Sequence, residues 1–506
     1  MRSSRLRLEL SVFLTLLGSY AYFWHARDWN ASSRLILTYA LFDSRTVCLD
    51  GLDQQTGDIA LFHEHYYCDK LPGFSFAATV PYGLARSILG LPPHPLAPPP
   101  PPRTKALAHW PADYWTTLGT SGLFTAACAI LLMRLARRLG CSPRAAAVVA
   151  LAYGLATPAY VYATLAYGHQ LSAFALLGSF CLIWTRGAGR EVVRMLAAGF
   201  LAAYASVIEL QLGPVSAILG IWLVFQCLAG RRRGSALFFF ALGAALPTLA
   251  LLVYNDQAFG SPWELGYFHH ARKEFAEVHN RQNPLGLRSP DLSKVIPLLW
   301  GEHRGLLFYA PILLLAVPGW IVLCLRRQFA LAASSLAIVL AVFLVNLSYP
   351  EWTGGWSTGP RLLLPLLPFA MIPVAAALTG PSRWRRLAFA LAVVLALAGG
   401  ILMLLYQGVG ARIPHEIDRP LRDFVWPLWT GQMRTPGWWS HDRFAWNLCS
   451  LAARDWIDGL SPSYQALQFL PLVGLQALAM LGINVLAGAE PSRPVGNPQA
   501  TSTPSA

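Results

Sequence analysis

Long unbroken runs of apolar residues alternate along this chain with polar connectors. The runs fall at about 8–25, 115–133, 145–164, 169–185, 195–211, 213–230, 235–254, 305–325, 329–348, 362–379, 387–407 and 464–488. Each is near or above the roughly 18 residues that mark a membrane-crossing helix. The runs are continuous rather than alternating, which excludes a barrel. Backbone groups in lipid must be satisfied within the segment itself, so the pattern predicts helices. The expected fold class is an all-α polytopic membrane protein, with about 12 transmembrane helices, outer-face loops and juxtamembrane helices.

Arginines punctuate the runs. One cluster holds Arg134, Arg137, Arg138 and Arg144, and a second Arg186, Arg190 and Arg194. The others are Arg231 to Arg233, Arg326 with Arg327, and Arg383, Arg385 and Arg386. Placing every cluster on the cytoplasmic side satisfies the positive-inside rule and puts both termini inside. The segment 74–90 contains Pro81 and Arg86 and reads as a helix lying in the outer interface. Were it to cross, Arg134 to Arg138 and every later cluster would change sides. The proline-rich stretch 92–102 is expected to be a stiff, extended connector.

This arrangement leaves only Glu9, Glu191 and Glu490 inside. The other carboxylates gather on or near the outer face, in 26–114, 255–304, 349–361 and 408–463. Residues 1–407 read as the transmembrane core, 408–488 as an outer stretch plus the last span, and 489–506 as a disordered cytoplasmic tail. The first run continues through Tyr22-Phe23-Trp24-His25 with no small-residue cleavage site, and is read as an uncleaved span.

Composition changes this picture little. The chain of 506 residues is 55% hydrophobic and 13% charged, with a net charge of +14. In a membrane protein that excess of arginine is a topology signal, so no nucleic-acid partner is implied.

Ionisable chemistry is concentrated in Asp58 to Gly73, D-I-A-L-F-H-E-H-Y-Y-C-D-K-L-P-G. A hydroxyl nucleophile needs a base, and a phosphorylated leaving group needs cations. The first loop offers Asp28, Asp43, Asp50, Asp53, Asp58 and Asp69 for the first task. Lys70, Arg34, Arg272, Arg304 and Arg361 suit the second. The plain alternatives are a helix cap or solvated acid for Asp58 and an interface anchor for Arg361. Glu209, at the outer end of a span, is costly there unless functional or snorkelling. His63, His65 and Glu64 invite a divalent metal, but their spacing is no zinc signature and no metal ligand or required cofactor is assigned. Cys48 and Cys68 share one loop in an oxidising compartment and are a candidate disulfide. The tryptophans at 300, 352, 356, 426, 429, 438 and 439 fit an aromatic belt.

His65-Tyr66-Tyr67-Cys68-Asp69-Lys70-Leu71-Pro72-Gly73 resembles the Y-x-D-K-P-P signature in the first outer loop of GT-C glycosyltransferases of the protein O-mannosyltransferase and aminoarabinose transferase type. Tyr254-Asn255, Phe259-Gly260-Ser261-Pro262 and Gly266-Tyr267 resemble the Y-N-x-x-F-G-x-P-x-x-G-Y stretch of a bacterial subgroup. So do Arg304-Gly305-Leu306-Leu307-Phe308-Tyr309-Ala310-Pro311 and Gly354-Gly355-Trp356-Ser357-Thr358-Gly359-Pro360-Arg361. One place departs from the pattern. Where the family has an Asp-Glu pair followed by Arg, this chain reads Asn30-Ala31-Ser32-Ser33-Arg34, so only Arg34 matches.

The resemblance implies a transferase on the outer face of a bacterial inner membrane. It would move a sugar from a polyprenyl-phosphate donor to a lipid, glycan or protein acceptor by an inverting displacement. With the usual acids missing, the base is expected to be Asp58, then Asp28. Lys70, Arg361, Arg304 and Arg34 are the candidate phosphate ligands. Asp69, His65, Tyr67, Glu351 and Tyr267 are the candidate substrate contacts. A flippase for a lipid-linked saccharide, or a lipid-linked glycan ligase, are the alternatives. A flippase would need polar residues along the middle of several spans, and few are present.

Overall fold

The computed structural model describes residues 2–93, 110–185, 190–379, 382–433, 443–453, 456–457 and 459–490. Most of the proline-rich connector, and all but Ala489 and Glu490 of the tail expected to be disordered, lie outside the described residues.

Arg2–Ala21 forms α1, and Trp29–Tyr39 and Gly73–Leu89 form α2 and α3 in the first connector. The bundle then comprises α4 (Pro111–Leu139), α5 (Pro143–Leu155), α6 (Gly168–Trp184), α7 (Glu191–Ile208), α8 (Leu210–Leu228) and α9 (Ser235–Phe259). It continues with α10 (Pro311–Leu325), α11 (Phe329–Ser348), α12 (Arg361–Ala377), α13 (Arg383–Val409) and α14 (Tyr464–Ala489). Seven of these, α4, α7, α8, α9, α11, α13 and α14, are long and apolar enough to cross a membrane. Helices α5, α6, α10 and α12 are shorter and apolar. A helix lies on every apolar run of the sequence. The segment around 74–90 is helical as expected, with Pro81 inside α3.

Helix α4 joins two chemically different ends. At its C-terminal end Arg134 Nη2 meets Glu9 Oε2 at 2.7 Å and Arg137 Nη2 meets Glu490 Oε1 at 2.9 Å. Arg232 pairs with Glu191 at 3.1 Å and also donates to the Thr185 carbonyl at 2.8 Å. Each of the three acids that the topology rule set apart thus pairs with one arginine of the clusters.

At the other end the connectors hold one another by main-chain bonds. Two short strands, β1 (Phe23–Trp24) and β4 (Trp446–Asn447), pair antiparallel. Between them in sequence, β2 (Ala60–Phe62) and β3 (His65–Tyr67) form a hairpin. Ala271 N donates to Ile59 O at 2.9 Å, Arg288 N to Ser348 O at 2.8 Å, and Ser357 N to Ile413 O at 2.9 Å. Four connectors far apart in sequence become one layer.

The expected Cys48–Cys68 bridge is not formed. Both are free thiols. Cys68 is wholly buried with its Sγ 3.1 Å from Ser33 Oγ, so its side chain is directed at α2.

Helices α7 and α9 pack backbone to backbone, as small residues permit between membrane helices. A Cβ on Gly199 would lie 1.8 Å from Phe240 O, and one on Gly243 would lie 2.0 Å from Leu196 O. Overpacking costs about 1–3 kcal/mol or more. Gly243→Val should therefore lower the thermal midpoint and the yield of monodisperse protein; an unchanged midpoint would show that the two helices do not meet this closely.

Candidate active site in the connector layer

The chain reaches the site along a short extended path. Thr56 Oγ1 accepts from Asp58 N at 3.0 Å and donates to Trp29 O at 2.8 Å, which sets Asp58 beside the start of α2. Ala60 of β2 then pairs with His270. The hairpin reverses through His63 and Glu64, whose φ angles of 47° and 65° are left-handed, the conformation a tight hairpin turn demands. Strand β3 brings the chain back, and Asp69 and Lys70 arrive next to Asp58.

There one ammonium holds two carboxylates. Lys70 Nζ lies 3.0 Å from Asp58 Oδ2 and 2.5 Å from Asp69 Oδ2. Asp69 has no exposed surface; it also accepts from Ser33 Oγ at 2.8 Å and faces His270 Nε2 at 3.6 Å. Burial alone would raise the Asp58 carboxyl, but the Lys70 ammonium, helped by His270 and Arg361, outweighs it and holds the group below its ordinary value. Burial opposes the charge on Lys70, and the two carboxylates more than offset this, raising its pKa. Burial lowers His270. Its Nδ1 accepts from Arg272 N at 3.0 Å, so the neutral ring carries its proton on Nε2, toward Asp69.

His270 and Ser33 were not anticipated from the sequence. Neither stands in a spacing that signals chemistry. The close approach that admits His270 depends on Gly266, where a Cβ would lie 2.5 Å from Cys68 O.

Arg361 supplies the opposite charge. Its guanidinium lies over the Tyr167 ring at 5.6 Å, and its shielded Nε has no hydrogen-bond partner. Among the described residues no carboxylate lies within ion-pair distance of it. It is nevertheless close enough that its charge acts on Asp58. The Gly-Gly-Trp-Ser motif explains its seat. Gly354 has φ 72°, and a Cβ there would lie 2.7 Å from Arg361 Nε. Only glycine allows both the turn and the contact.

The other candidates divide clearly. Arg34, buried on α2, bonds Asn30 Oδ1 at 2.5 Å and leaves its Nε without a partner. Asp28 caps α2 by accepting from Ala31 N at 2.8 Å, and also accepts from the Tyr167 hydroxyl. Arg304 is fully buried and spends its nitrogens on carbonyls: Thr353 O at 2.7 Å, Gly355 O at 2.8 Å and His303 O at 3.0 Å. It positions the Gly354 loop. Tyr267 stands within electrostatic reach of Lys70, Arg34 and Asp69, and stacks on His279 at 4.8 Å. Glu351 is exposed, with its carbonyl accepting from Gly354 N at 2.9 Å. His65 and Tyr67 are not drawn into the cluster: His65 pairs with Asp50 at 2.6 Å, and Tyr67 packs on Phe259.

Glu209 meets His169 Nδ1 at 2.5 Å at the junction of α7 and α8. It lines a small cleft with Gln211, Leu212, Asn346, Tyr349 and Leu362, the neighbour of Arg361. Asn346 is buried there with neither amide atom hydrogen-bonded. The oxygens of Asp58 and Asp69 and a nitrogen of His270 lie within 4.8 Å of one another and could ligate a divalent ion. Lys70 already bridges the two carboxylates, so an ion would have to displace its ammonium.

No protein-family model matches the chain, and no curated protein sequence does. Among solved structures, ArnT from Cupriavidus metallidurans in the apo state is similar with a TM-score of 0.50 at 19% identity, over 96% of this chain and 77% of that one. ArnT bound to undecaprenyl phosphate gives 0.47 at 14% identity, over 96% and 77%. The oligosaccharyltransferase AglB from Archaeoglobus fulgidus, in complex with an inhibitory peptide and a dolichol-phosphate, gives 0.48 at 12% identity, over 78% and 55%. At such identity the likeness to apo ArnT is one of architecture, and it agrees with the motif order along the sequence: this chain is a membrane protein of multiple apolar helices with a GT-C-like fold.

Proposed function

We propose that the chain is an integral membrane glycosyltransferase that moves a sugar from a polyprenyl-phosphate donor to an acceptor on the outer face of a bacterial inner membrane. The observation that carries this reading is the juxtaposition of a carboxylate cluster with a shielded, unpaired guanidinium. Asp58, Asp69 and Lys70 together carry one net negative charge. Arg361 beside them has no acid of its own, an arrangement that favours an incoming anion. A lipid-linked sugar phosphate offers that anion at one end of the bond to be broken.

In this reading Arg361, with Arg34, holds the donor phosphate. Lys70 uses two of its donors to fix Asp58 and Asp69 and keeps a third for the phosphate. The acceptor hydroxyl attacks the anomeric carbon from the face opposite the phosphate. The new carbon–oxygen bond forms as the bond to the phosphate oxygen breaks, polyprenyl phosphate leaves, and the hydroxyl proton passes to Asp58. The product has inverted configuration. Asp28 is the weaker candidate for base, because both a helix cap and a tyrosine hydroxyl already occupy its carboxylate. The cleft between Glu209 and α11 would receive the phosphate-proximal part of the carrier from the bilayer. Twelve crossings with both termini cytoplasmic remain part of this proposal, as does the bacterial inner membrane.

Reconstitution in liposomes with polyprenyl-phosphate-linked sugars and candidate lipid, glycan and peptide acceptors should yield glycosylated product and free polyprenyl phosphate. Movement of intact donor across the bilayer without cleavage would favour a flippase and overturn the proposal. Asp58→Asn should lower kcat by roughly 10²- to 10⁴-fold in folded protein, whereas Asp28→Asn keeps a competent cap and most of the activity; full activity in both variants removes the base assignment. Arg361→Met should cost about 10²- to 10³-fold in kcat/KM, as loss of a charge-stabilising donor does.

The acid limb gives a separate check. A carboxylate with a depressed pKa stays ionised at neutral pH and loses its charge only as pH falls through that lowered value. Wild-type kcat/KM should therefore be flat across the ordinary carboxylate range. Removing the ammonium in Lys70→Met lets burial dominate, so the residual activity should acquire an acid limb at higher pH; identical pH profiles would separate Lys70 from Asp58.

A further inference from the structure

A second group of side chains, outside the cluster assigned to catalysis, combines donors of three kinds. Cys48 Sγ, a carboxylate oxygen of Asp50 and a ring nitrogen of His65 all lie within 4.8 Å of one another. His65 Nδ1 is 2.6 Å from Asp50 Oδ2. The backbone sets the three in place. Leu49 N donates to Tyr66 O at 2.8 Å, which lays the Cys48–Asp50 segment along β3. Tyr66 N donates to Asp50 Oδ1 at 2.7 Å, and Cys48 N to Thr46 Oγ1 at 3.1 Å.

We infer that Cys48, Asp50 and His65 form a binding site for a zinc-class divalent ion, with a fourth position open to water. Thiolate, imidazole and carboxylate together are the donor set that zinc prefers over magnesium or calcium. At zinc distances of about 2.0–2.3 Å, two ligands of a tetrahedral ion stand roughly 3.4–3.8 Å apart. The His65–Asp50 pair must open by somewhat under about 1 Å and the widest pair close by about 1 Å to reach that spacing, changes within the range of side-chain rotation. The second oxygen of Asp50 is already oriented by the Tyr66 amide, the support that carboxylate ligands commonly have. Asp50 and His65 are partly exposed, with side chains 44% and 58% accessible, so an ion can reach them.

The contrast with the catalytic cluster is informative. There a lysine already bridges the acids. Here, among the described residues, no lysine or arginine pairs with Asp50, and its one ionic partner is His65. On binding, Cys48 would lose its thiol proton and ligate as the thiolate, and the cation would take the place of the proton between His65 Nδ1 and Asp50. The ion would clip the 45–50 segment to the hairpin whose outgoing strand leads to Asp69 and Lys70.

The test uses the full-length protein, stripped with chelator and titrated with Co²⁺ and then Zn²⁺. One equivalent of Co²⁺ should give a thiolate-to-metal charge-transfer band with tetrahedral d–d intensity, and Zn²⁺ should abolish it. Cys48→Ser should lose the band and His65→Ala weaken it, both with the metal-free thermal midpoint of wild type. Zn²⁺ should raise that midpoint in wild type and leave Cys48→Ser unchanged. Absence of a thiolate band, its persistence in Cys48→Ser, or cobalt binding without sulfur ligation would overturn the inference. Since Cys48 takes no part in the proposed transfer, none of these readings depends on catalysis.

Discussion

One ammonium carries the electrostatics of the connector layer. Lys70 sits between Asp58 and Asp69, and of the three only Asp58 and Lys70 retain any exposed surface. A buried carboxylate without a partner would take up a proton rather than stay charged. The pair also gathers three parts of the chain, since Asp69 is in addition bonded to Ser33 and faces His270. Breaking a buried ion pair on one side typically costs about 3–5 kcal/mol. The arrangement therefore keeps Asp58 ionised and fixes its direction at the same time. Depressing its pKa makes the carboxylate a weaker base, yet one always available in the required form.

Arg304 and Arg361 show how differently one residue type can be used. Arg304 donates one N–H from each of its three nitrogens to the carbonyls of Thr353, Gly355 and His303. The first two of those carbonyls flank Gly354, against which Arg361 rests. One guanidinium thus builds the seat of the other. Burial opposes the charge on Arg361, and the fields of Tyr167, Tyr162, Asp28 and Asp58 more than offset this, although none of these acids is within ion-pair distance of it.

The helices were legible because length and apolarity are local properties of the sequence. Lys70 and Arg361 stand in the motifs that resemble the family, whereas Asp58 was picked among the first-loop acids because the usual pair is missing; the structure brings both cations within electrostatic reach of Asp58. His270, Ser33 and Tyr167 were not legible, since they are ordinary polar residues until the fold delivers them. The carbonyl partners of Arg304 were not legible either, because main-chain acceptors leave no mark in a sequence. The Cys48–Cys68 bridge failed for a related reason. Sharing a loop says nothing of direction, and the two thiols are turned to different partners, Cys68 toward Ser33 and Cys48 toward Asp50. The hairpin accounts equally for the metal reading: His63 and Glu64 form its tip, and only His65 turns toward further ligands.

The connector layer has no large core of its own, so its geometry must be inherited. A small apolar cluster supplies the link. Leu49, Leu52, Ile59, Ala60 and Cys68 pack with Ile36 and Leu37 of α2 and with Tyr254, Ala258 and Phe259 at the end of α9. The hairpin is therefore seated on α9, and α9 is seated on α7 through Gly199 and Gly243. A displacement of α9 would carry Phe259 with it, tilt the hairpin, and move Lys70 away from its partner acids before any residue of the site had changed. The precision of the charge cluster is in this sense a property of helix packing inside the bilayer, transmitted outward by a handful of aromatic and aliphatic contacts.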